Sequence, residues 1–283
     1  MGNINTVKND GITFNFSTDV KPKTQRFIED AIFDVQKKSG QKEFFNGLKL
    51  TVYSNWKESK QFSNFSDTKQ GFTAYPIFMT RKAIFLQTNE LQGTDGNRKI
   101  VPADQAQIKE NTLHEIGHLF DFHFANPDEE VVQKLKDTMS KESEPTEEEN
   151  AVFDDLLAEY KKNNGLSDSE EFQQAWKNDV ERAFKGYFSF ENKAKTEKLG
   201  YFSPTASYDG DDKGKDITLQ DGIDDRELEL ADRAREEVFA QLFAYALGAD
   251  GKNHNKELIL ETYKESYKVV QNFIEKLLYD KNK

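Results

Sequence analysis

The sequence contains no cysteine and few histidines or prolines: of 283 residues, four are His and six are Pro. Without cysteine there is no disulfide scaffold, no thiol nucleophile and no cysteine-ligated zinc site. No stretch approaches the roughly 18 consecutive apolar residues of a membrane-spanning helix. Positive charge is also in deficit, with 39 basic against 51 acidic residues and a net charge of −12. This balance argues against a nucleic-acid-binding surface.

Aromatic residues are abundant: they make up 12% of the chain and include 23 phenylalanines. A chain this long and this rich in aromatic residues can bury a sizeable core. The acidic excess lies in residues 128–182 and 207–237. These segments are either solvated surfaces or the sides of a cleft for a neutral or basic ligand. The first five residues have neither a basic region nor an apolar region, so no signal peptide is expected in this chain.

The hydrophobic pattern changes along the chain from a short α/β part to a series of helices. Period-2 alternation predicts strands and 3.6-residue periodicity predicts helices. Proline suits a first helical turn, so the helix of the central region is predicted to open at Pro102. The sequence thus predicts an α+β fold with a small mixed sheet and a helix-rich C-terminal part. Strands are predicted at 48–53, 71–75 and 83–88, helices at 21–39, 102–124, 226–247 and 255–279, three helical stretches within 128–186, and a loop at 187–225.

The strongest chemical signal is an H-E-x-x-H motif on the predicted helix 102–124. His114 and His118 are four residues apart and therefore lie on one face of the helix. Two neutral imidazoles at this spacing can bind one Zn²⁺. Glu115 flanks the metal without coordinating it and can take a proton from the attacking water. Gly117 is expected to leave room beside the metal.

The third ligand is not expected to be another histidine. Asp121 and Phe124 occupy the positions where a metzincin has its glycine and third histidine, which excludes that class. His123 lies about 140° from the ligand face and is expected at the exposed helix end. His254 is expected on the surface.

A carboxylate from the predicted helix 226–247 is the best remaining candidate for the third ligand, as in a His₂Glu site. Glu236 and Glu237 differ by 100° around this helix. The pattern alone does not separate them.

The sequence HEIGHLFD at residues 114–121, with EVFAQLFA at residues 237–244, resembles the anthrax-lethal-factor-like metallopeptidases. That gluzincin-type group includes secreted Pro-Pro endopeptidases of Gram-positive bacteria. The resemblance implies Glu237 as the third zinc ligand and Asp121 and Gln241 as supporting residues around the site. It also implies a tyrosine for the oxyanion. The family spacing falls on Leu230, so we assign Tyr208, with Tyr201 as its rival and the absence of any such tyrosine as the third alternative.

The resemblance further implies one zincin-like catalytic domain over residues 1–283. Its parts are an α/β part (1–125), an acidic helical insertion (126–206) and a helical part with the third ligand (207–283). The implied function is a secreted or cell-surface zinc endopeptidase of a Gram-positive bacterium, with one Zn²⁺ and a protein or peptide substrate. The alternatives are a host-directed toxin protease and a non-catalytic binding protein with this fold.

Two further segments lead to weaker expectations. Residues 71–75 could form an edge strand that binds substrate by β-augmentation, or an ordinary core strand. Residues 209–220 begin like an EF-hand loop, but Lys213 stands where an acidic or amide ligand is needed, and Gln220 stands where a bidentate Glu is needed. We therefore interpret this segment as an acidic loop.

Overall fold

The computed structural model describes residues 4–58, 71–74, 83–92, 99–123, 166–184, 195, 198–199, 202–203, 225–251 and 255–279. Within these ranges the chain forms an α+β fold, a mixed sheet followed by helices. Among the helices described, none is long and apolar enough to cross a membrane. The predicted helical stretches of the acidic insertion before residue 166 lie outside the described residues.

The main sheet has five strands in the order β1-β2-β3-β5-β4. The three middle strands run parallel, and each outer strand pairs antiparallel with its neighbour. Strand β4 is therefore an edge of the described sheet, next to β5. The strands are β1 (Ile4–Asn9), β2 (Ile12–Ser17), β3 (Lys49–Tyr53), β4 (Gly71–Ala74) and β5 (Ala83–Gln87).

The structure contains two β-hairpins that the sequence analysis did not predict. β1 and β2 are joined at Asp10 and Gly11, whose φ angles of 48° and 81° suit a tight hairpin turn. The second hairpin is a separate two-stranded sheet of β6 (Asn89–Gln92) and β7 (Lys99–Pro102).

Helix α1 (Pro22–Ser39) and the short α2 (Lys42–Phe45) connect β2 to its parallel neighbour β3. Proline occupies the first turn of α1, where a missing N–H costs nothing. Gly40 ends the helix with φ of 66°, a left-handed conformation that glycine adopts without strain.

Helix α3 (Gln105–His123) carries the H-E-x-x-H motif. The prediction that Pro102 opens this helix is wrong, because Pro102 is the last residue of β7. The Asp104 carboxylate instead accepts a hydrogen bond of 2.8 Å from the N–H of Gln107. A side-chain cap of this kind satisfies a first-turn donor, which a proline cannot do.

Among the described residues, the helix-rich part includes α4 (Glu170–Ala183), α5 (Asp225–Ala246), α6 (Lys256–Thr262) and α7 (Lys264–Tyr279). The single helix predicted over 255–279 is in fact two, which meet at Tyr263.

The buried Asp179 of α4 explains this break. Its carboxylate accepts hydrogen bonds from the N–H groups of Glu265 and Ser266 at 3.1 and 2.8 Å. These are first-turn donors that α7 itself cannot satisfy.

One continuous hydrophobic cluster includes residues of both the sheet and the helices. Phe120 of α3 lies near its centre, with ring centroids 4.2 Å from Phe44 and 4.9 Å from Phe243. This packing holds α3 between α2 and α5. Helices α3 and α5 are thus fixed against each other by buried aromatic rings.

Candidate metal centre

Helix α3 places the two motif histidines side by side. The rings of His114 and His118 have centroids 4.8 Å apart and planes at 89°. Their separation of four residues corresponds to one helical turn. Only 10% and 12% of the two side chains is exposed.

Helix α5 brings the carboxylate of Glu237 to both rings. Its Oε2 lies 3.0 Å from Nε2 of His114 and 3.4 Å from Nε2 of His118. The three potential ligand atoms lie within 4.8 Å of one another. Among the described residues, this group contains Glu237 and not Glu236, which decides between the two carboxylates that the helical pattern left open.

The charges of this group are strongly coupled. Burial alone lowers the pKa of His118, but Glu237, followed by Glu115 and Asp121, outweighs it and raises this pKa to about 9. Burial likewise raises the pKa of Glu237, but His118 and His114 outweigh it and hold this pKa well below its usual range. Both shifts favour the charged forms, a protonated His118 beside an ionised Glu237.

Gly117 has a different role from the one expected. A Cβ at this position would lie 2.8 Å from both Cα and O of Ala240 on α5, closer than non-bonded atoms approach. The missing side chain therefore allows the two helix backbones into contact. Gly117 lies between the two histidines, and Ala240 is three residues from Glu237, so this contact sets how close α5 comes to the metal ligands.

The other ring nitrogen of His114 faces a buried polar chain. Nδ1 lies 3.0 Å from Oε1 of Gln241, and Nε2 of Gln241 donates to Oε1 of Glu110 at 2.7 Å. The hydroxyl of Tyr245 donates to the same oxygen at 3.3 Å. Sequence reasoning missed Glu110, although it is four residues before His114 and shares its helix face.

Asp121 of α3 binds the segment that precedes α4. Its two carboxylate oxygens accept from the backbone N–H and the hydroxyl of Ser167, both at 2.7 Å. Burial raises the pKa of Asp121 to about 6 against these hydrogen bonds. The next residue, Asp168, forms a nearly buried ion pair with Arg235 of α5. Residues 167 and 168 thus connect α3 and α5 beside the metal ligands.

Phe202 is a second residue that sequence reasoning missed. It is fully buried, and its ring centroid lies 6.3 Å from that of His114. The hydroxyl of Tyr263, between α6 and α7, donates to the carbonyl of Phe202. The hydrogen bond from Tyr263 thereby fixes the apolar ring of Phe202 beside His114.

Glu115 is buried, with 6% exposure, and its charge contributes to the raised pKa of His118. Tyr208, its rival Tyr201, His254 and the acidic loop before residue 225 lie outside the described residues. The roles predicted for these residues stay predictions.

No family model, curated protein or solved structure matches the chain. The structure itself therefore carries the functional argument. It shows an α+β chain whose helices α3 and α5 bring together a His/His/Glu group that could bind one metal ion.

Proposed function

We propose that the chain is a zinc metalloendopeptidase with a zincin-like fold. His114, His118 and Glu237 hold one Zn²⁺, and Glu115 is the general base. The observation that carries the proposal is the position of one carboxylate oxygen, within 3.4 Å of both histidine Nε2 atoms that the H-E-x-x-H motif supplies.

The donor set fits zinc. Two imidazole nitrogens and one carboxylate form the three-ligand set of catalytic zinc sites, which keep a fourth position for water or substrate. Calcium and magnesium prefer oxygen ligands throughout, so the two imidazoles disfavour them. The Glu237 side chain keeps 19% exposure, which leaves one side of the group within reach of water.

Zinc bound here would supply Lewis-acid chemistry, polarising a peptide carbonyl and lowering the pKa of water toward ~7. Glu115 accepts the proton of the attacking water and returns it to the leaving amine. Its position directly after His114 keeps it beside the reacting atoms without occupying a ligand position. Tyr208, assigned from the resemblance, would donate to the developing oxyanion.

The setting of this activity also belongs to the proposal and follows from the resemblance. The substrate is a protein or peptide, and the enzyme works outside a Gram-positive cell or at its surface. A host-directed toxin protease would have the same site chemistry. A non-catalytic binding protein would keep the metal and cleave nothing.

Zinc content and peptide cleavage, measured on the same preparations, test the proposal. We expect one equivalent of zinc in the wild type and in Glu115→Gln, and chelator-sensitive cleavage of a peptide library by the wild type. General acid–base catalysis contributes roughly 10²–10⁴-fold, so Glu115→Gln should lose at least that much turnover. Glu181→Gln, an exposed carboxylate on α4, is the matched control and should retain full activity.

Three results contradict the proposal. Absence of bound zinc in the wild type would refute the proposed metal site. Unchanged cleavage by Glu115→Gln would refute the role of Glu115 as general base. Zinc binding without cleavage of any library peptide favours the non-catalytic binding protein.

A further inference from the structure

We infer that Glu110 is a positioning residue for the zinc ligand His114, acting through the side-chain amide of Gln241. The inference rests on the proposed function, because it assigns Glu110 a part in preparing His114 for the metal. It adds a third residue of α3, on the same face as the two histidines, to the metal centre.

The contacts form one buried chain. Glu110, Gln241 and His114 are 1%, 0% and 8% exposed. The chain runs from Glu110 Oε1 to Gln241 Nε2 over 2.7 Å, and from Gln241 Oε1 to His114 Nδ1 over 3.0 Å. A buried polar side chain that loses its hydrogen bonds is destabilising, so each member fixes the orientation of the next.

The direction of these hydrogen bonds follows from the chemistry of the first member. A carboxylate only accepts, so the NH₂ of Gln241 faces Glu110 and its carbonyl oxygen faces His114. Nδ1 of His114 must then donate, which fixes the proton on Nδ1. Nε2, which faces the Glu237 carboxylate at 3.0 Å, is then the ring nitrogen that would bind the metal.

Tyr245 strengthens this assignment. Its hydroxyl donates to the same Glu110 oxygen at 3.3 Å. Burial, followed by the charge of Glu110, raises the pKa of Tyr245, so this hydroxyl keeps its proton and remains a donor. Glu110 therefore accepts hydrogen bonds from two residues of α5 that are one turn apart. These bonds fix the position of α5 relative to His114.

The arrangement also accounts for the glutamine at position 241. A carboxylate there would contact Nδ1 of His114 directly. Here the carboxylate of Glu110 is separated from His114 by the amide of Gln241. This amide accepts from His114 because its NH₂ group donates to Glu110. An amide in contact with the ligand adds no charge of its own to the metal centre.

An exchange of the two side chains separates polarity from packing. Glu110→Gln leaves the amide of Gln241 free to turn over, and we expect zinc binding to weaken by about 10–100-fold. Gln241→Glu places two buried carboxylates in contact, and we expect weaker zinc binding and lower stability.

The double variant E110Q/Q241E should recover what each single variant loses. The carboxylate introduced at position 241 accepts from His114 and from the amide introduced at position 110, so the two hydrogen bonds that connect position 110 to His114 are restored. This variant should bind zinc within about threefold of the wild type. The exposed control Glu181→Gln should do the same.

The ring proton of His114 is the second readout. Proton–nitrogen correlation spectra, assigned with His123→Gln and His254→Gln, should place a protected proton on Nδ1 in the wild type and in the double variant. The same proton should lose its protection in Glu110→Gln. Zinc affinity is measured by competition with a chelator on the same samples.

The outcomes separate this inference from the proposed function. Wild-type zinc affinity in Glu110→Gln, or a double variant no better than either single variant, overturns the positioning role. If the wild type binds no zinc, the proposed function fails. Spectra and unfolding midpoints of the metal-free protein then test the positioning role of Glu110. Recovery of the protected Nδ1 proton and of the midpoint in the double variant supports this role, and absence of recovery overturns it.

Discussion

Replacing Gly117 by alanine tests whether the contact between α3 and α5 sets the metal geometry. The added Cβ would lie 2.8 Å from Cα and O of Ala240 and 3.2 Å from its carbonyl carbon. Carbon atoms in contact are ordinarily about 3.5–4.0 Å apart. The helices must therefore separate by roughly 0.7–1 Å. No side-chain rotation relieves this overlap, because the opposing atoms are backbone.

The expected effect on stability is smaller than the effect on metal binding. Overpacking costs typically 1–3 kcal/mol, and alanine gains about 1 kcal/mol over glycine in helix propensity. We therefore expect Gly117→Ala to lose about 0–2 kcal/mol of unfolding free energy. Metal–ligand distances tolerate only about 0.2 Å. A larger shift of Glu237 relative to the histidines should weaken zinc binding at least ~100-fold.

Urea denaturation of the metal-free protein and zinc competition titrations measure the two quantities. Asn111→Ala, a half-buried position on the same helix, controls for the gain in helix propensity. Adding Ala240→Gly to Gly117→Ala should not restore zinc binding, since it leaves the opposing backbone in place. Near-normal zinc affinity in Gly117→Ala, or rescue by Ala240→Gly, would refute the reasoning.

Three further predictions concern pH and buried charges. Zinc affinity should rise about tenfold per pH unit from pH 6 to 8, because His118, with a pKa of about 9, must lose its proton to bind metal. Chelator competition at three pH values measures this rise, and a flat profile contradicts it. Asp168→Asn should cost about 3–5 kcal/mol in urea denaturation, because Arg235 loses its buried partner. Asp34→Asn, at an exposed pair, should change stability by less than about 1 kcal/mol. Asp179→Ala should cost about 0.5–2 kcal/mol and speed hydrogen exchange of the amides of Glu265 and Ser266; unchanged exchange there would contradict its capping role.

The histidine pair could be predicted from the sequence because its geometry is local. A spacing of four on a helix places His114 and His118 on one face whatever the rest of the chain does. The third ligand depends on how α5 is rotated toward α3. Glu236 and Glu237 both lie in a plausible sector of α5, and the approach of the two helix backbones at Gly117 selects between them.

The fold shows the same division between local and long-range information. The first hairpin carries a local signal in Asp10–Gly11 followed by Ile12, Phe14 and Phe16, which alternate into the core. The break at Tyr263 carries no such signal, because the carboxylate that caps α7 comes from α4. Glu110 could be found from its spacing to His114, but its partner Gln241 lies 131 residues away.

The hydrogen bond from the N–H of Leu166 to the carbonyl oxygen of Asp121, at 3.2 Å, has a consequence for the chain between them. The polypeptide leaves α3 at His123 and returns within one hydrogen bond of its point of departure. Doubling the length of a flexible loop costs only about 0.6 kcal/mol in closure entropy. The segment between Asp121 and Leu166 thus starts and ends at neighbouring backbone positions, and a change in its length is expected to leave the distances among His114, His118 and Glu237 unchanged.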